Sequence, residues 1–171
     1  VNSSPTIALQ NAPDLCLNTT QILGFGLPQG GLYFADTLLS ANTIAMNRYT
    51  ATGSARSQKI IYEYYGANGC WDTASAVIDI LPQPSVSFVL EDSIACYSEN
   101  LVKVTGGLPI GGTYLGKGIF QNQLYTQSSG TGYIDIVYQF TDSNNCNNTD
   151  TVKLLVAVNP ILNVSNDTVL C

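Results

Sequence analysis

The sequence predicts an all-β chain made of tandem two-sheet sandwich modules. Three observations carry that prediction: a motif that returns at a fixed spacing, apolar alternation of period two, and five cysteines that keep the register of the repeat. Gly26-Leu27-Pro28-Gln29-Gly30-Gly31-Leu32-Tyr33 returns 81 residues on as Gly107-Leu108-Pro109-Ile110-Gly111-Gly112-Thr113-Tyr114, identical at six of eight positions. Further along, Ile60-Ile61-Tyr62-Glu63-Tyr64 is matched by Ile136-Val137-Tyr138-Gln139-Phe140, and Asn68-Gly69-Cys70 by Asn144-Asn145-Cys146, both 76 residues on. The second unit is therefore shorter by five residues, between Tyr33 and Ile60, and a variable loop or edge strand is expected there because loops absorb length changes that core strands do not.

Taken in order, the elements begin at prolines. Pro5, Pro84 and Pro160 each precede a strand-like run (6–9, 85–88 and 161–164), and a cysteine follows each proline by eleven or twelve residues, at Cys16, Cys96 and Cys171. The register sets one module at 1–83, a second at 84–159, and the first strand of a truncated third at 160–171. Strict alternation marks Ile134-Asp135-Ile136-Val137-Tyr138-Gln139-Phe140 as a strand, and β-branched or aromatic residues dominate 76–81 and 152–158. Gly66-Ala67-Asn68-Gly69 and Asp142-Ser143-Asn144-Asn145 supply the Asn and Gly that hairpin turns use. No segment has a capped apolar period of 3.6, and Ser40 to Met46 could form one helical turn at most. Six or seven short strands per module fit an immunoglobulin-like sandwich, with the strand pairing left open.

The cysteines extend the register. Cys16 is expected to pair with Cys70 and Cys96 with Cys146, one bridge per module, with Cys171 unpaired by truncation. Each bridge would contribute roughly 4 kcal/mol by the chain-entropy model and would place the protein in an oxidising compartment. Metal binding or thiol redox chemistry is the rival reading. It lacks support, because there is no Cys-x-x-Cys pair and no histidine, and the four cysteines lack zinc-site spacing.

Composition narrows the function. Charged residues make up 11% of the chain, against about 25% in an average globular protein, and the polar positions are filled by Gly, Ser, Thr, Asn and Gln. The net charge is −6 and no stripe of Lys or Arg could track phosphates, so nucleic acid is excluded as a partner. The longest apolar runs fall far short of the roughly 20 residues a membrane helix needs, so no membrane span is expected. The chain opens at Val1 with no basic or apolar leader, so an export signal is expected to have been removed or to lie upstream.

Catalysis finds no constellation. Histidine is absent, the lysines are isolated, and the one adjacent acidic pair, Glu91-Asp92, reads as a solvated turn. The glycine-rich stretches lack the Lys-Ser/Thr ending of a phosphate cradle. Asp142-Ser143-Asn144-Asn145, with Asn148 and Asp150 beyond, offer oxygens that could hold calcium, but their spacing is not that of an EF-hand and hairpin chemistry accounts for them; no cofactor is expected. Among the aromatics, Tyr62 and Tyr64 have counterparts in Tyr138 and Phe140, whereas Tyr65 and Trp71 are replaced by Thr141 and Asn147, which leaves these two as candidate ligand contacts.

The motif Gly-Leu-Pro-x-Gly-Gly-x-Tyr, an aromatic-rich strand and Thr141-Asp142-Ser143-Asn144-Asn145-Cys146 together resemble the Ig-like and PKD-like repeats of giant Bacteroidetes-type surface proteins. The second module fits best, through Gly111-Gly112-Thr113-Tyr114 and Gly130-Thr131-Gly132-Tyr133; the first departs at Leu32-Tyr33-Phe34-Ala35. The resemblance implies a setting in long cell-surface adhesins, gliding-motility adhesins or appendages exported by the type IX route. It also implies O-glycosylation at Asp-Ser/Thr before an apolar residue, a pattern present at Thr37, Thr73, Ser93, Thr151 and Thr168.

The expected function is a structural and adhesive segment of a long extracellular or cell-surface protein, a rod-like stalk or filament building block. Its partners would be neighbouring repeats, a homo-oligomer or filament, and a surface glycan or protein. The alternative is a carbohydrate- or protein-binding accessory module of a secreted multidomain enzyme.

Overall fold

The computed structural model describes residues 3–10, 12–37, 40–43 and 48–159. The chain is all-β and divides into two compact units: residues 1–83 together with Asp142–Cys146, and the remainder from Pro84.

The first unit runs β1 (Ala8–Leu9), β2 (Leu15–Cys16), β3 (Thr20–Ile22), β4 (Gly26–Leu27), β5 (Leu32–Thr37), β6 (Ser40–Thr43), β7 (Arg48–Thr50), β8 (Arg56–Tyr65) and β9 (Trp71–Leu81). Its main sheet has the order β2-β9-β8-β5-β6, flanked by the pairs β1-β4 and β3-β7. The second unit runs β10 (Ser87–Phe88), β11 (Ile94–Cys96), β12 (Leu101–Lys103), β13 (Gly107–Leu108), β14 (Thr113–Gly116), β15 (Ile119–Phe120), β16 (Gln123–Tyr125), α1 (Thr126–Ser129), β17 (Gly132–Thr141) and β18 (Asn147–Ala157). Its main sheet is β11-β18-β17-β14, with the sheets β12-β16-β15 and β10-β13.

The two units repeat each other in every strand but one. In each, a short strand lies parallel to the C-terminal half of the last long strand, Cys16 opposite Leu81 and Cys96 opposite Ala157. Among the described residues, the other pairings are antiparallel. The long hairpins β8-β9 and β17-β18 pair ten residues each. The burial sequence along β8 and along β17 is the same at all ten positions, with alternate residues turned inward. Alternation is what a strand with one face on the core requires, since successive side chains point to opposite faces.

The inward residues form one core per unit. Ile60, Tyr62, Ile78 and Ile80 anchor the first, with Leu15, Leu23, Tyr33 and Ala51; Ile136, Tyr138, Leu154 and Val156 anchor the second, with Phe88, Leu124 and Val104. Each fully buried isoleucine contributes about 1.5–3 kcal/mol relative to an exposed one.

The units differ where the sequence is five residues shorter. The first adds β6 to the edge of its main sheet, against β5. The second instead places β15 against β16, in the other sheet. Ser40–Thr43 is therefore a strand and not the start of a helical turn. The helical turn α1 lies elsewhere, in a segment with no apolar period: Thr126 and Ser129 are buried, Thr126 Oγ1 donates to the Tyr97 carbonyl at 2.9 Å, and Ser129 Oγ donates to the Thr126 carbonyl at 2.8 Å. Residues 160–171, assigned above to a third module, lie outside the described residues.

Candidate functional site: the cysteine positions and their supports

The repeated glycine–tyrosine motif is a clasp that closes the end of each core. Tyr62, inward on β8, donates its hydroxyl to the Pro28 carbonyl and accepts the Gly31 N–H at 2.7 Å. Tyr138, inward on β17, does the same with the Pro109 carbonyl and the Gly112 N–H, also at 2.7 Å. The motif tyrosine stands beside it, Tyr33 taking the Gly26 N–H at 2.6 Å and Tyr114 the Gly107 N–H at 2.8 Å. The ring pairs Tyr33–Tyr62 and Tyr114–Tyr138 are 4.8 and 4.7 Å apart.

The glycines are there for space and for backbone geometry. A Cβ on Gly26 would lie 2.7 Å from the Tyr62 ring, and one on Gly107 would lie 2.5 Å from the Tyr138 ring. Gly30 and Gly111 hold φ of 100° and 106°, a region that side chains disfavour. The Leu27–Pro28 and Leu108–Pro109 peptides are cis in both copies. The glycines, the proline and the tyrosine that the two copies of the motif share thus each have a structural role, whereas Leu27 and Leu108 are exposed.

The cysteines occupy two kinds of position. Cys16 and Cys96 end the short parallel strands β2 and β11, beside Leu81 and Ala157. Cys70 and Cys146 sit at the turns of the long hairpins. There Gly66 N donates to the Cys70 carbonyl at 2.8 Å, and Asp142 N donates to the Cys146 carbonyl at 2.9 Å. The second turn is reinforced by the Asp142 carboxylate, which accepts the N–H groups of Asn144 and Cys146 at 2.9 Å each. The first uses the Asn68 side chain, which accepts the Cys70 N–H at 3.1 Å. These bonds engage the Asp142 carboxylate weighed as a calcium ligand, and among the described residues no group of three or more His, Cys, Asp or Glu lies together.

This geometry overturns the expected pairing of Cys16 with Cys70 and Cys96 with Cys146. Cys70 immediately precedes β9, and Cys16 lies opposite its last residue, so the eleven-residue strand stands between them. At about 3.3 Å per residue that is roughly 35 Å, far outside the Cα separation of about 4.4–6.8 Å that a disulfide spans. The same argument separates Cys96 from Cys146 along β18, also eleven residues. The bond that forms is Cys16–Cys146, with sulfurs 2.04 Å and Cα atoms 5.4 Å apart, across 130 residues of sequence. It joins the strand-end cysteine of one sequence repeat to the hairpin cysteine of the next, and Cys146 is fully buried. Cys70, half-buried, and Cys96, exposed, are free thiols. Cys171 lies outside the described residues.

The remaining candidates are on the surface. Tyr65 and Trp71 are cross-strand partners at the turn end of the first hairpin, their rings 6.3 Å apart and 57% and 54% exposed. The Glu63 carboxylate, as hydrogen-bond acceptor and by its charge, pushes the Tyr65 hydroxyl above its usual value. Thr73, Ser93 and Thr151 are exposed; the Thr37 side chain and Thr168 lie outside the described residues. Asp72 and Asp150 each accept the N–H of the following threonine, at 2.7 and 2.8 Å, and Asp150 also accepts the Phe88 N–H at 2.8 Å. Glu91 and Asp92 are exposed beside a hollow of about 150 Å³ that Glu99 and Lys103 also line. Glu99 is occupied in accepting the Cys96 N–H at 3.1 Å. Among the described residues, no helix is long and apolar enough to cross a membrane. No protein-family model matches the chain, and no curated protein matches it.

Proposed function

We propose that this chain is a structural and adhesive repeat segment of a long secreted or cell-surface protein, serving as a stalk or filament building block of immunoglobulin-like modules. The observation that carries the reading is the Cys16–Cys146 bond: it closes a loop across 130 residues drawn from both sequence repeats, and so limits how far the chain can extend under load. The repeated strand order, the parallel edge strand and the two-fold use of the tyrosine clasp support a modular origin. The low charge and the exposed Thr and Asn side chains fit an extracellular β surface.

An antibody raised against the segment tests this reading on intact cells of the source organism. Labelling of unpermeabilised cells is the expected result. Labelling that appears only after permeabilisation contradicts it.

A second reading, a carbohydrate- or protein-binding accessory module, is favoured by one observation, the exposed Tyr65–Trp71 pair, since paired aromatic faces suit sugar rings. Glycan-array binding that Trp71→Ala abolishes would favour it over a stalk.

A further inference from the structure

The two units share most of their strands but fill one part of the core differently. In the first, Leu15 stands on β2 opposite Ile80 and is buried in the core with Leu23. At the matching place in the second, Ala95 stands on β11 opposite Val156. Val104 likewise precedes Gly107 by the same three residues that separate Leu23 from Gly26. Both replacements shorten a core side chain. Ala95 and Val104, with Ile136 and Leu154, are buried and line the hollow of about 150 Å³ beside Glu91 and Asp92. Close-packed cores leave few voids larger than a water molecule, so a hollow of this size is room for the branched hydrocarbon that Leu15 supplies in the first unit.

We propose that this hollow is a binding site for a small amphipathic cation, a short branched hydrocarbon ending in an ammonium group. The hydrocarbon would take the space that the first unit fills with its own leucine, and its removal from water supplies the affinity. The charge of the head follows from the exposed residues around the hollow, where the carboxylates of Glu91, Asp92 and Glu99 stand against the single ammonium of Lys103. Glu99 is partly engaged, accepting the Cys96 N–H at 3.1 Å. Glu91 and Asp92 have no hydrogen-bond or ion-pair partner among the described residues. A cationic head therefore meets a net attraction and an anionic one a net repulsion. Exposed charges contribute little each, so they set the preference while the apolar floor sets the binding. All of these residues belong to the second unit, and occupancy of the hollow does not depend on a role as a stalk.

The test titrates the isotopically labelled full chain with isoamylamine, isoamyl alcohol and isovalerate, three probes that share a branched chain and differ in the head. Saturable NMR shifts centred on Ala95 and Val104 are expected, with a Kd on the order of millimolar for the amine. The alcohol should bind about three- to tenfold more weakly, and the carboxylate more weakly still. Ala95→Leu and Val104→Leu each install the residue that the first unit carries, and each should weaken the amine by about tenfold or more, with an unchanged amide spectrum elsewhere showing that the fold is kept. Glu91→Gln combined with Asp92→Asn should leave the alcohol as it was and bring the amine close to it. No saturable shift with any probe overturns the site, as does amine binding that both filled variants retain. Equal binding of amine and carboxylate overturns the assignment of a cation.

Discussion

Tyr62 and Tyr138 each hold a glycine-rich loop through one hydroxyl that both donates and accepts. Tyr138→Phe keeps the ring and removes the bonds to the Gly112 N–H and the Pro109 carbonyl, so a loss of about 1–3 kcal/mol for the two is expected in denaturant unfolding. Gly112→Ala tests the same loop from the other side: its Cβ would lie 2.5 Å from the Tyr138 hydroxyl, and about 1–3 kcal/mol of overpacking is expected. A neutral result for both would mean the clasp is ornamental. The tyrosines also set an alkaline limit. Burial pushes the Tyr33 and Tyr49 hydroxyls above the free value of 10.0, the Gly26 N–H only partly opposing this at Tyr33 and Arg56 at Tyr49. A group raised on folding stabilises the folded state fully below its unfolded-state value, and that contribution is lost as pH climbs through the folded-state value. Denaturation midpoints should therefore be flat below about pH 9 and fall above about pH 10 as far as these two groups act. A midpoint that rises over that range contradicts the burial assigned to them.

At the scale of elements, the length of β9 and β18 decides the covalent structure. Eleven residues of extended chain separate the two cysteine positions of a repeat, so the strand acts as a spacer that forbids a local bridge. The alternation in 134–140 and the returning tyrosine motif made the long strands and the repeat readable from sequence, because side-chain period and turn chemistry are local properties. The bond was not readable in the same way. Register identifies equivalent cysteines but says nothing of which end of a strand each occupies, and Cys16 depends on a two-residue parallel strand whose partner lies 65 residues away. The helical turn at Thr126 was hidden for a related reason: it is held by two hydroxyls and not by an apolar stripe. The swap of β6 for β15 could be located from the five-residue difference, though not the change of sheet. Of the candidate ligand contacts, Tyr65 and Trp71 were found because they broke the repeat, and cross-strand pairing brings them together.

For the whole molecule, the bond across 130 residues dominates both stability and extension. Closing a loop of that length is worth about 5 kcal/mol in the chain-entropy model, so reduction is expected to lower the thermal midpoint by many degrees. Pulling on the two ends exposes a second consequence. With Cys16–Cys146 intact, the residues between them cannot extend, and reduction should lengthen the fully unfolded chain by about 430–470 Å at roughly 3.3–3.6 Å per residue. Two local bridges would instead release two shorter increments. A buried Cys146 also implies that a mild reductant acts slowly unless the fold opens. The ion pair Lys153–Asp135, exposed on both sides, adds little to either property.

The most direct measurement is a peptide map of the oxidised protein after its free thiols have been alkylated under denaturing conditions. A Cys16–Cys146 peptide, with alkyl groups on Cys70 and Cys96 in the monomer, is the predicted result. Recovery of Cys16–Cys70 and Cys96–Cys146 peptides in its place would contradict the account, because it would return each bridge to a single repeat and remove the covalent link between successive ones.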